Sequence, residues 1–186
     1  MSLLLAIRKQ KFSFGAVAIP WAAFIIFALS GNLLLLDYIH VLTGAIWTGT
    51  DIFLGLIFIK VVKTLDIQTK YDVAQRVLPM TLFFIPSATV LTTLAGLILA
   101  IRENTFSELP STLIIPLFAV GAILAVISFI FILPASLKIR KMKEGQRDEA
   151  ALNDSSRLLD NLTIYGAVQL LFQIIIIGFM AYFVAL

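Results

Sequence analysis

Five apolar stretches, at about 14–30, 36–62, 78–101, 112–136 and 161–185, take up most of the sequence. A hydrocarbon core of ~30 Å is crossed by roughly 20 helical residues, so each stretch is read as a membrane span. With 60% hydrophobic and 13% charged residues, there is too little polar surface to coat a water-soluble globule. Runs such as Leu54 to Ile59 and Ile174 to Ile177 do not alternate apolar with polar residues, which excludes the strands of a membrane β-barrel. The expected fold is all-α: a polytopic membrane helix bundle in a single membrane domain, 1–186, with one N-terminal helix and a four-helix core.

The basic residues orient the spans. If the spans alternate in direction, the N-terminus and the loops at 63–77 and 137–160 share one side. That side holds thirteen of the fourteen Lys and Arg residues, and Arg102 alone lies opposite. The positive-inside rule makes the crowded side cytoplasmic. The N-terminus is therefore expected in the cytoplasm and the C-terminus outside, in a multi-pass protein of the cell membrane. Arg8, Lys9 and Lys11, an apolar stretch and Ala28-Leu29-Ser30 also fit a cleavable signal peptide, against which an uncleaved anchor is the expectation. The net charge of +3 does not point to nucleic acid, because the basic residues stand in loops and not on one basic surface. Absence of cysteine excludes disulfides, iron-sulfur clusters and thiolate metal sites.

Gly31-Asn32 has turn chemistry and predicts a tight hairpin between the first two spans. The cytoplasmic loop 137–160 is expected as helical extensions of the fourth and fifth spans, with Asn153 or Asp154 capping the latter.

The second span carries the sharpest pattern. Asp37, His40, Gly44, Trp47 and Asp51 recur every three or four residues, an arc of ~80° on a helix. Asp51 lies near mid-span, where a carboxylate costs about 2.5–3.5 kcal/mol to insert. Thirteen Leu, Ile, Val and Phe residues between Ile39 and Val62, worth about 0.3–0.6 kcal/mol each, outweigh this. Asp51 in such a place is either ionised with a partner or neutral, and if neutral it is a proton carrier or a hydrogen-bond donor.

Counting inward from the cytoplasmic ends puts Ser87 and Thr89 of the third span, and Gln169 and Gln173 of the fifth, at the depth of Asp51. This candidate polar layer reads in two ways: as a proton, ion or small-ligand site, or as hydrogen-bonded glue between helices. Gly44 with Thr48, and Ala45 with Gly49, are small pairs that would admit a neighbouring backbone.

His40, the single histidine, lies about one turn inside the outer end of its helix. It offers one ring nitrogen to a haem or metal ion, with Asp37 a turn away as ligand or supporting partner and Trp47 beside them on the stripe. Neither a bis-histidine haem nor a closed metal site can be completed within one chain, so another subunit would have to supply ligands.

The run His40-Val41-Leu42-Thr43-Gly44-Ala45-Ile46-Trp47-Thr48-Gly49 resembles the opening of a histidine-bearing helix in a loose group of membrane proteins. The group comprises the copper-resistance protein D family, the membrane part of cytochrome-linked urate oxidases, and the membrane protoporphyrinogen oxidases. The resemblance implies a four-helix core, here spans two to five, with His40 at the position of a haem or metal ligand. It covers ten residues, and the chain lacks the further histidines of those families.

Three functions follow as expectations. The first is a noncatalytic or cofactor-supporting subunit of a larger membrane complex of redox type, embedded in lipid among other membrane subunits and without catalytic activity of its own. The second is a haem- or metal-binding protein using His40, and the third a proton-coupled carrier or channel centred on Asp51. No nucleotide-binding loop, hydrolase triad or zinc-protease motif is present.

Overall fold

A computed structural model describes residues 2–141 and 148–184, without the side chains of 2–14, 79–83, 108, 139–141 and 183–184. The described residues are almost wholly helical and include no strand. Helix α1 is Ser2–Ser30 and α2 is Leu33–Thr64, with a π-helical stretch at Phe53–Phe58. Helix α3 is Ile67–Arg102 and α4 a single turn, Thr105–Glu108. Helix α5 begins at Ser111, passes through a second π-helical stretch at Ile127–Ile132 and ends with Leu133–Lys141; α6 is Glu149–Val184.

Three of the helix starts have a local cause. Gly31 takes φ +71°, a conformation open to glycine at little cost, and Asn32 then caps α2 by accepting the N–H of Leu35 at 3.3 Å. Asp66 caps α3, its Oδ1 accepting from the N–H groups of Gln68 and Thr69 at 3.0 Å each. Asp148 caps α6 through the N–H of Ala151 at 2.8 Å. The expected cap at Asn153 or Asp154 is therefore corrected: both lie inside a helix that starts a full turn earlier, and Asp154 instead accepts from Lys138 at 2.8 Å. The expected extensions of the fourth and fifth spans are helical as far as Lys141 and from Glu149; Lys143, Glu144 and Arg147 of that loop lie outside the described residues.

Four helices are long and apolar enough to cross a membrane: Leu33–Thr64, Phe84–Arg102, Ser111–Lys138 and Glu149–Tyr182. The apolar part of α1, Gly15–Ser30, is shorter. Helices α3 and α6, at 36 residues each, are ~54 Å long against a hydrocarbon core of ~30 Å, so both run well past it. Their overhanging ends pack on each other. Tyr71 meets Ala151 and Leu152, and Lys70 Nζ donates to both carboxylate oxygens of Asp160 at 2.9 and 3.0 Å.

In cross-section α2 and α5 each pack against α3 and α6, which also touch one another across the middle. Helix α1 lies outside this four-helix core, against α2 and α3. Trp21 of α1 donates its indole N–H to Ser87 Oγ at 2.7 Å, and the Arg102 guanidinium donates to the carbonyl of Ala28 at 2.8 Å, closing the end of α1. The main core joins Trp47, Leu54, Leu78, Ile85, Leu124 and Leu159, while Phe24, Leu36 and Leu91 fill the seam with α1. The outer surface is apolar, with Leu29 82%, Leu34 74% and Ile115 67% exposed, and suits lipid. The interior, by contrast, hides Asp51, Thr89, Ser128, Gln169 and Gln173.

Candidate functional site

Asp51 is completely buried, and one hydrogen bond reaches it: the carboxamide Nε2–H of Gln173 donates to Oδ2 at 2.8 Å. Among the described residues its second oxygen, Oδ1, has no hydrogen-bond partner, nor has Oε1 of Gln173. A turn away on α6, Gln169 Nε2–H donates to Ser128 Oγ at 2.6 Å, and Ser128 shares a hydroxyl contact of 2.8 Å with Thr89 Oγ1. Gln169 Oε1 and the indole N–H of the buried Trp47 are also unpartnered. Groups from α2, α3, α5 and α6 thus meet in one buried polar stretch whose hydrogen bonding is incomplete.

The backbone is shaped around this stretch. Asp51 stands just ahead of one π-helical segment and Ser128 lies inside the other. A π turn inserts an extra residue and turns the side chains that follow, a device frequent at functional sites. Within the first π segment, α2 touches α6 directly: a Cβ on Gly55 would lie 2.6 Å from Ala167 Cα. A Cβ on Gly166 would lie 3.2 Å from Leu54 Cβ and 3.8 Å from Asp51 Oδ1. Two glycines let the helices close on each other, which seals the short Asp51 side chain from the acyl chains.

His40 occupies a second, separate place nearer the other end of α2. Its Nδ1 lies 2.9 Å from the carbonyl oxygen of Thr92, which can only accept, so Nδ1 carries the proton. In the neutral form of the ring this tautomer leaves Nε2 as the lone-pair donor, and among the described residues no hydrogen bond to it is seen. The ring lies on Gly96 of α3, where a Cβ would come 2.5 Å from Cε1. The Thr92 hydroxyl donates to Thr43 Oγ1 at 3.0 Å and fixes the same seam.

Several expected residues therefore separate into two groups. Asp51 with Gln173, and Thr89 with Gln169, stand together, whereas Ser87 does not join them. Residues two apart on a helix point ~200° from one another, so Thr89 facing inward turns Ser87 toward α1. Asp37 is exposed and makes no hydrogen bond to His40, and Trp47 is buried in the main core. Among the described residues no three His, Cys, Asp or Glu side chains are grouped to hold a metal ion. Of the small pairs, Gly44 does face α3, with Thr92 Cγ2 3.4 Å from where its Cβ would lie, whereas Ala45 and Gly49 are exposed with open space at Gly49; the tightest approaches are at Gly55 and Gly96. Ser128 was not anticipated, although it stands as far from the charged end of its span as Gln169 does from that of its own.

No family model, curated protein or solved structure matches this chain.

Proposed function

We propose that the chain is a multi-pass subunit of a larger redox complex in the cell membrane, N-terminus in the cytoplasm and C-terminus outside, which supports a cofactor through His40 and performs no catalysis alone. The observation that carries this reading is the state of the imidazole: Nδ1–H tied to the Thr92 carbonyl, and Nε2 left without a partner. Ligating histidines are held in this way, since the second ring nitrogen fixes both tautomer and orientation. Gly96 adds a cradle that any side chain would fill. A haem b or a transition-metal ion fits this single nitrogen and would supply electron transfer when bound. Its remaining ligands would come from another chain, because the sequence has no second histidine and among the described residues no three His, Cys, Asp or Glu side chains are grouped.

The test is purification from native membranes with companion chains retained, followed by an absorption spectrum and metal analysis. A haem band or stoichiometric metal is expected, lost in His40→Ala. It should weaken in Gly96→Ala, whose methyl must displace the ring at about 1–3 kcal/mol. A protein that carries neither haem nor metal and brings no other chain with it would overturn the proposal.

A further inference from the structure

The buried carboxyl of Asp51 has no countercharge available. No lysine, arginine or histidine stands within 78–101, 112–136 or 161–185, the parts of the other core helices that cross at its depth. On the same helix His40 is eleven residues away and Lys60 nine, about 16 and roughly 14 Å along the axis, and Lys60 is exposed toward the charged end. From α6 the groups nearest Asp51 are Gly166 and Gln173, and the adjoining chain contributes Gln169, Ser128 and Thr89, all uncharged. Lys70, at the overhanging end, is already paired with Asp160. An ionised carboxylate here would be buried, unpaired and supported by one neutral donor, an arrangement that proteins avoid.

The hydrogen-bond inventory points the same way. A carboxylate brings two acceptors, whereas the facing carboxamide brings one donor and one acceptor. Gln173 Nε2–H satisfies Oδ2, which leaves Asp51 Oδ1 and Gln173 Oε1, two acceptors of one bonded pair, both empty. One hydrogen between them fills both.

We propose that Asp51 is a proton-binding site within the membrane: a neutral acid whose Oδ1–H donates to Gln173 Oε1 while Oδ2 accepts from Gln173 Nε2–H. Binding forms one O–H bond with a proton drawn from water, and the side chain passes from one negative charge to none. The two side chains then bond through both of their polar ends, beside the place where Gly55 and Gly166 let α2 and α6 meet. The site is distinct from His40 and stands or falls independently of any cofactor there.

Infrared spectroscopy of the full-length protein in liposomes near neutral pH tests this. The other Asp and Glu residues whose side chains are described are all at least partly exposed, and a protonated-carboxyl C=O band is assigned to Asp51 by its loss in Asp51→Asn. The band is expected in the wild type, moves to lower frequency in D2O and disappears in Asp51→Asn. Because Asn restores a donor and an acceptor facing Gln173, the same variant should melt close to the wild type, whereas Gln173→Leu should melt lower. Absence of the band at neutral pH overturns the proposal. So does thermal stability that rises with sodium over choline at fixed ionic strength in the wild type but not in Asp51→Asn, which would make the ligand a metal cation.

Discussion

Asp66 shows how much one exposed carboxylate can do at a helix start. It accepts from two backbone N–H groups and from the Thr69 hydroxyl at 2.6 Å, and the Thr69 hydrogen bond, first among these causes, holds its pKa below the ordinary value of 3.8. A lowered folded-state pKa means that its stabilisation is complete above the unfolded value and fades as pH falls through the folded one. Asp66→Ala should therefore lower the melting temperature modestly at pH 7, and the gap to wild type should close on acidification below about pH 4. Thermal melts from pH 7 to pH 3 check this. Residue by residue, the sequence is most legible where depth alone decides: counting places Asp51 and Gln173 in one layer, though not as a bonded pair. It misled where direction decides, since Ser87 and Thr89 share a depth but not a face. Ser128 was hidden for a different reason: one hydroxyl in a long apolar run carries no pattern until its partners are placed.

Elements were read as apolar lengths, and hydropathy marks where lipid ends, not where a helix ends. The third span was placed from residue 78, yet α3 begins at Ile67, because Asp66 caps it and the polar turns that follow lie against α6. Both π-helical stretches were invisible beforehand, since they depend on which helix lies opposite and not on local propensity. The α2–α6 seam yields the sharpest expectation at this scale. A methyl at residue 55 would meet the Ala167 backbone at 2.6–2.7 Å, and backbone cannot swing aside as a side-chain end can. Gly55→Ala should destabilise the bundle by about 1–3 kcal/mol, at the upper part of that range if α2 and α6 must separate. Gly121→Ala, with nothing within 4 Å of the added carbon, should be close to neutral. Unfolding of the two variants in the same detergent measures the difference.

At the scale of the whole molecule, apolar side chains face outward while, among the described residues, a carboxyl, two carboxamides and six Ser and Thr hydroxyls lie buried, an arrangement suited to surroundings that are themselves apolar. Such a bundle must also choose a direction, and here the choice rests on charge: the N-terminal stretch, the ends of α2 and α5, the beginnings of α3 and α6 and the stretch between α5 and α6 carry thirteen of the fourteen Lys and Arg residues, while Arg102 alone stands at the other end and is engaged with the Ala28 carbonyl. The absence of cysteine makes the direction directly measurable, because a single introduced thiol is then the only one present. Thr64→Cys, at the last residue of α2, and Ser107→Cys, in the short α4, stand at opposite ends of the bundle, both on exposed positions. In intact cells a membrane-impermeant maleimide should label Cys at 107 and leave Cys at 64 unlabelled until the membrane is opened. The reverse pattern would turn the molecule over and move the His40 end to the cytoplasm. Labelling of both in intact cells would show that the two positions share one side, which is incompatible with a helix α3 that crosses between them.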